Sequence, residues 1–506
     1  MKRLILTLSA FALAASTSFA QNISGASAAD LQKNINDAKA KIAKSDADIQ
    51  NPKNSAKVAT WENRAKVFTD AATVNIKGVY AGMEAAKSQK NMFSNLEILV
   101  GNPTSKKPGA DGIEIWEYPT IKFYVQDNQV QYWEEIVTPD DNALDKAVEA
   151  YRKACDLDPK GAVKSKKSTI DGIKNIKQIY TNNGINKYLL QKYDAAAADF
   201  EKALALSDFP KDPKDTSSID GMIAYYGGLS AYQAKNYAKA KKFFDSSIEQ
   251  KYEVGRSYHH LYLIKMEEGK KDEALKIIQD AYAKYPQEES LLYDVINYYT
   301  AQKEYDKAET YLNKAIEKYP DNLSVFGVKA SIYADQYTKA KDNYLKLRNE
   351  ADSLKKLAFR NRNNQKENDR LTAASQAKLD EAQALRKEFD SHVAKAENTY
   401  KDIIKKDSKY FGAYFNLGLV AYDKSDLAKK EASLIAPSED KDGSKAAAKQ
   451  AEQKAACKES IQYFEKALEI QPNNRDVLQN LRMLHVQMGE YDKAKEIKEK
   501  IEALGN

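Results

Sequence analysis

Side chains able to do chemistry are few and scattered in this sequence. Its four histidines, His259, His260, His392 and His485, have no spacing that would gather them around a metal, and neither H-E-x-x-H nor C-x-x-C occurs. No G-x-S-x-G elbow is present to expose a nucleophilic serine. Gly101–Lys107 superficially suggests a phosphate-binding loop, yet the second glycine that must precede the lysine is missing. Carboxylates are spread as on any charged helix surface, and no pair stands apart for acid–base work. Catalytic residues, a metal and a cofactor are therefore not expected. What does recur is glycine followed four residues later by tyrosine, at Gly184/Tyr188, Gly228/Tyr232 and Gly418/Tyr422. The glycines read as close-packing positions. The tyrosines either pack between helices or line a surface that grips an extended peptide, since tyrosine offers rigid, amphipathic contact area.

The elements that must position these residues come from a repeat. Gly221–Val254, Gly255–Glu288 and Glu289–Asn322 are consecutive blocks of 34 residues with no insertion between them. In each, position 20 is alanine (Ala240, Ala274, Ala308) and position 24 is large and apolar (Phe244, Ile278, Leu312). Position 27 is small (Ser247, Ala281, Ala315), and two blocks carry proline at position 32 (Pro286, Pro320). Residues three and four apart share one helix face, so two small positions admit a neighbouring helix and the large side chain between them fills the gap. Proline cannot continue the helix and starts the turn to the next block. A fixed period in this range marks a solenoid whose units bury their apolar faces only by stacking.

The pattern resembles the tetratricopeptide repeat (TPR), a helix–turn–helix unit, of the kind found in exported bacterial proteins. The resemblance implies an all-α TPR solenoid, a right-handed superhelix of helix–turn–helix repeats, here with a small β-containing insert and a projecting helical hairpin. In such repeats helix A lines the inner curve, with positions 2, 5, 6, 9, 12 and 13 facing the groove. Carried onto this chain, the rule implicates Tyr188, then Tyr225, Tyr226 and Tyr232, then His259 and His260. Further along it implicates Tyr293, Asn297, Phe415, Asn416 and Tyr422. Chaperone-binding members clamp a terminal carboxylate with lysine at position 5 and asparagine at position 9. Those positions here hold Thr181/Ile185, Tyr225/Leu229 and His259/Leu263, so that clamp is absent.

Composition and the N-terminus bound the rest. A 506-residue chain that is 30% charged and 42% hydrophobic suits a helical protein larger than one compact core supports. Lys2 and Arg3 precede an apolar run to Ala15, and Ser18-Phe19-Ala20 supplies the small residues of a cleavage site. Residues 1–20 read as a signal peptide cut after Ala20. That places the mature chain outside the cytoplasm: periplasmic, outer-membrane associated or secreted. No later segment is apolar and long enough to span a membrane. Without Lys2 and Arg3, 77 bases face 73 acids, too balanced to indicate nucleic acid. Cys155 and Cys457 fall on B helices of far-separated repeats, and two free thiols are expected.

Taken in order, residues 21–57 read as an N-terminal cap helix and 58–176 as a split repeat interrupted at about 70–140. In that insert Ile113–Tyr118, Ile121–Val125 and Val130–Trp133 are rich in β-branched and aromatic residues and predict a small hairpin or sheet. Four repeats follow at 177–210, 221–254, 255–288 and 289–322. Residues 323–410 form a repeat split by a helical hairpin at about 345–395, whose apolar spacing alternates three and four as in a coiled coil. Residues 411–474 form a repeat split by a Lys- and Ala-rich insert at about 424–456, with a flexible tip at Pro437–Ser444, and 475–506 a terminal repeat and cap. The expected role is a non-enzymatic scaffold of a bacterial cell envelope that binds a protein or peptide partner in its groove. The alternative is recognition of an envelope polymer such as peptidoglycan or another glycan.

Overall fold

The computed structural model describes residues 28–86, 95–209, 219–435 and 440–504. The expected signal peptide lies outside them, as do Pro437, Ser438 and Glu439 of the expected tip. The chain divides into two compact units, Met1–Leu291 and Leu292–Asn506. Among the described residues no helix is long and apolar enough to cross a membrane.

The first unit begins with α1 (Ala28–Gln50), which buries the stripe Leu31, Ile35, Ala38 and Ile42. Asn51 then caps the short α2 (Pro52–Ser55) by accepting from the Lys53 amide, with Pro52 at the first helical position. Helix α3 (Val58–Ala72) carries Arg64, held by Asp46 at 2.7 Å and lying over the Phe68 ring. A short α4 (Leu96–Val100) leads into a four-stranded antiparallel meander. Its strands are β1 (Ser105–Pro108), β2 (Glu114–Glu117), β3 (Ile121–Gln126) and β4 (Gln129–Glu135). Asp127 and Asn128, with φ of 51° and 60°, make the left-handed two-residue turn that suits a hairpin. One face of the sheet, with Trp116, Ile121, Phe123 and Val130, forms its own core with Leu31, Met83 and Leu96. Strand β1 is the strand the sequence pattern does not reveal, because Ser-Lys-Lys-Pro has neither β-branched nor aromatic residues.

The chain then returns to helices. Helix α5 (Ala143–Asp156) packs directly on α3, and α6 (Ala162–Ser165) leads to α7 (Lys167–Leu189) and α8 (Tyr193–Ala205). The next pairs are α9 (Asp220–Gln233) with α10 (Tyr237–Glu249), and α11 (Val254–Glu267) with α12 (Lys271–Lys284). Helix α13 (Glu289–Ala301) spans the division between the units and is followed by α14 (Tyr305–Lys318). The second unit continues with α15 (Leu323–Arg360), α16 (Gln365–Lys406), α17 (Phe411–Ser433), α18 (Ser444–Ile470), α19 (Arg475–Met488) and α20 (Tyr491–Ala503). Helix α15 runs unbroken from the first position of its repeat into the hairpin. The extra residues therefore lengthen both helices of the pair rather than forming a separate element between them.

One geometry repeats at the A-to-B turn. Position 15 adopts left-handed φ in five units: Gln191 (58°), Lys235 (60°), Gly269 (75°), Lys303 (58°) and Gly489 (77°). The following amide reaches back to the carbonyl of position 11, as in Lys192 to Lys187, Asn236 to Ala231 and Glu304 to Tyr299. That six-to-one bond closes the C-terminus of helix A and aims helix B back along it. At the other junction Tyr285 (φ −127°, ψ 63°) and Tyr319 (φ −127°, ψ 65°) leave the helical region before Pro286 and Pro320, where pre-proline sterics disfavour it. Positions 20, 24 and 27 of the B helices are 0–2% exposed in all three uninterrupted repeats.

Candidate ligand-binding cleft

Helix α7 is the A helix of the second repeat, and its inner face is roofed by the insert. The backbone N–H of Trp133 on β4 donates to Asn186 Oδ1 at 3.4 Å, and Lys192 Nζ lies 2.5 Å from Glu134. From the other side Asn75 donates its amide to the Glu135 carboxylate (2.9 Å) and to the Val137 carbonyl (2.8 Å). Burial pushes the Glu135 carboxyl up to about 7, opposed by the Asn75 hydrogen bond and the Lys187 charge. Between α1, the end of α3, the 73–81 loop, β4 and α7 lies a cleft of about 640 Å³. That volume is in the range of ligand sites.

The α7 wall of the cleft is a row of amides, Asn175, Gln178, Asn182 and Asn186, flanked by Ile179, Ile185 and Leu189. Spacings of three and four keep the row on one face. Gln178 donates to Asn182 Oδ1 at 2.9 Å, which fixes the orientation of that pair. Opposite, Asn34 and Gln131 add neutral polar groups, and Asn75 has a buried Oδ1 with no donor among the described residues. The ionic lining is mixed, Asp30, Asp37 and Asp70 against Lys41 and Lys77. Such a wall presents many donors and acceptors with little net charge. It suits a neutral, amide- or hydroxyl-bearing ligand and gives no anion cradle. Among the described residues no three His, Cys, Asp or Glu side chains are grouped as metal ligands would be.

The residues implicated by the groove rule fall in both units. In the first unit Tyr225 and Tyr226 are 5% and 7% exposed, packed edge to face with each other and, for Tyr225, with Phe244. Burial pushes the Tyr225 hydroxyl up to about 12. His260 stacks on Phe244 (5.0 Å) and meets Tyr232 edge-on (5.4 Å), while His259 meets His260 edge-on. The Tyr232 and Tyr237 hydroxyls both donate to Glu267, and Tyr188 packs against Tyr193. This is an aromatic packing layer, and its two central tyrosines offer little surface to a partner. In the second unit Asn322 donates to the Tyr293 hydroxyl and Asn297 is exposed. Phe415 stacks on Phe411, Asn416 donates to its own helix at Gly412, and Tyr422 packs against the last repeats. The groove rule picks Tyr188 from the second repeat, but the cleft uses Gln178, Asn182, Ile185 and Leu189, at positions 2, 6, 9 and 13 of that unit. Aromatic content draws attention away from the amides, although the positional signal was present. Both cysteines are free, Cys457 buried and Cys155 partly so.

The recurring glycines have a packing explanation. A Cβ built on Gly184, Gly228 or Gly418 would lie 2.9, 2.6 or 2.8 Å from the ring of Phe200, Phe244 or Phe464 respectively. Each is position 8 facing position 24 of its own repeat. Where position 24 is aliphatic (Ile278, Leu312), position 8 is large (Tyr262, Ile296). The pair conserves volume across the A–B interface.

A family model described as tetratricopeptide repeat matches residues 265–332 and 453–503. Among solved structures, a TPR repeats protein from Bacteroides fragilis is 16% identical, with 62% of this chain and 98% of that one covered and a TM-score of 0.27. The C-terminal part of a TPR repeat-containing protein from Cytophaga hutchinsonii is 13% identical, with 64% and 94% covered and a TM-score of 0.35. Among curated proteins no significant match was found. The matched segments, with the alanine, left-handed-turn and proline positions repeated pair after pair, show that this chain carries tetratricopeptide repeats.

Proposed function

We propose that this chain is an exported, non-enzymatic scaffold of the bacterial cell envelope, and that the cleft over α7 grips an extended segment of a partner protein. Tetratricopeptide repeats generally serve protein–protein interaction, so the fold supports the scaffold reading at that level. The observation that carries the finer reading is the pair of partly exposed amides Gln178 and Asn182, one helical turn apart in the cleft. Four residues of helix rise about 6 Å, close to the roughly 6.6 Å spanned by two residues of extended chain. Amides at that spacing meet every second peptide unit with both a donor and an acceptor. A glycan would also bond to amides, but Trp133 is 6% exposed and leaves almost no ring face for a sugar to stack on. The envelope setting is supported by the signal-peptide pattern of residues 1–20.

The test compares the wild-type chain with a Gln178→Ala/Asn182→Ala variant. Both would be used to capture partners from envelope extracts and to bind insoluble cell wall, with helicity checked by circular dichroism. The double variant should keep its helicity and lose protein partners that the wild type retains. An unchanged partner set would remove the cleft from the mechanism. Retention on cell wall, abolished by the same pair, would replace the peptide with a glycan.

A further inference from the structure

The two longest helices end in a tip whose chemistry the repeat array does not need. Helices α15 and α16 run antiparallel, with Tyr337 against Phe389 (5.7 Å) and, further out, the Ser375 hydroxyl donating to the Ala351 carbonyl (2.8 Å). Helix α17, which packs beside them, ends at Ser433, and Arg386 holds its Glu431 at 2.8 Å. The hairpin continues from Arg386 back to Gln365, which at 1.5 Å per residue is about 30 Å of helix beyond that ion pair. At its end Phe359 is 68% exposed and Leu357 43%. The Arg362 guanidinium lies 4.8 Å from the Phe359 ring.

Charge at the tip is one-sided. Residues 355–370 hold six bases (Lys355, Lys356, Arg360, Arg362, Lys366, Arg370) against two acids. Glu367 is taken by Arg370 at 2.7 Å, and Asp369 accepts the Gln365 amide at 2.8 Å. Among the described residues Arg360, Arg362 and Lys366 make no ion pair. An exposed phenylalanine and leucine among unpaired bases, held far out on a rigid stalk, have no role in the hairpin's own packing.

We propose that this tip docks on an anionic lipid surface, Phe359 and Leu357 entering the headgroup–acyl boundary while Arg360, Arg362 and Lys366 meet lipid phosphates. Two apolar side chains at a turn fall far short of the roughly 800 Å² per partner that a stable protein interface buries. Interfacial lipid binding is instead a sum of a few apolar insertions and separate basic contacts. The attachment is peripheral and reversible.

The experiment is vesicle flotation of the purified full chain, with phosphatidylglycerol in phosphatidylcholine against phosphatidylcholine alone. Wild type floats with the anionic vesicles only, and less so as salt is raised. Phe359→Ala lowers partitioning about ten- to a hundredfold. Arg360→Gln/Arg362→Gln lowers it about fivefold per charge. The charge-matched pair Lys33→Gln/Lys39→Gln, on α1, leaves it unchanged. Equal binding to both vesicle types overturns the proposal. So does Phe359→Ala floating like wild type, or the α1 pair matching the tip pair. Retention on an acidic protein column without flotation assigns the tip to a protein instead and overturns it equally.

Discussion

Replacing Gly418 by alanine should destabilise the second unit, whereas the same change at Gly327 should stabilise it. Both glycines lie inside helices, α17 and α15, where alanine is favoured over glycine by about 1 kcal/mol. At Gly327 no atom lies within 4 Å of the added Cβ, so that propensity gain stands alone. At Gly418 the Cβ would lie 2.8 Å from the Phe464 ring, itself 0% exposed. Overpacking of this kind costs about 1–3 kcal/mol, which offsets the propensity gain and leaves a net loss of about 0–2 kcal/mol. The sharper quantity is the difference between the two variants, about 1–3 kcal/mol, because propensity cancels in it. Adding Phe464→Leu to Gly418→Ala should restore part of the loss, since uninterrupted repeats with aliphatic residues at position 24 accept large residues at position 8. Urea unfolding followed by circular dichroism, with the slope checked for constancy, measures all three. If Gly418→Ala is as stabilising as Gly327→Ala, the volume argument for the glycine–phenylalanine pair is wrong.

Further outcomes follow from charge. Glu135 titrates near 7 in the folded chain against 4.5 for the free side chain, so its neutral form is favoured by folding. Its contribution is fully present below pH 4.5 and is lost as pH rises through about 7, a fall of about 3 kcal/mol. Glu135→Gln should flatten that part of the stability–pH curve of the first unit, and an unaltered curve would show that Glu135 is not buried as described. Asp423 accepts from Lys341 at 2.5 Å and from the Tyr337 hydroxyl at 3.1 Å, with the Lys341 side chain only 10% exposed. Asp423→Ala leaves Lys341 only Asp426 among the described residues, at 3.5 Å, and should destabilise the second unit by about 2 kcal/mol; adding Lys341→Met should recover most of it. Denaturant midpoints of the two variants check this; a double variant no better than the single one would refute the stranded-charge explanation.

The repeat was legible because its signals are local and periodic. Alanine at position 20, the large residue at 24 and proline at 32 each act through sterics within one helix pair, so a fixed spacing exposes them. The left-handed turn at position 15 was less legible. Glycine announces it at Gly269 and Gly489, but Gln191, Lys235 and Lys303 adopt it under the pull of the helix-closing hydrogen bond and give no sign in their identity. Strand β1 was hidden because its residues are recruited by pairing with β2 rather than by their own preference. The groove aromatics were legible as a face of helix A. Their exposure was not, because the depth of a ring depends on how the helices close over it, and Tyr225 is closed in by Phe244 and Tyr252 of its own repeat and by His260 of the next.

By itself the sequence determined the unit: two helices, a turn, small close-packing positions, and a need to stack. Those are consequences of periodicity, and each is settled within about forty residues. Only the tertiary structure decided where a ligand-sized space opens. The cleft exists because α1 and β4, far apart in sequence, are laid across α7 and leave its amide face uncovered. No short-range pattern encodes a gap between distant segments, since the gap is what remains after each has buried its own apolar side.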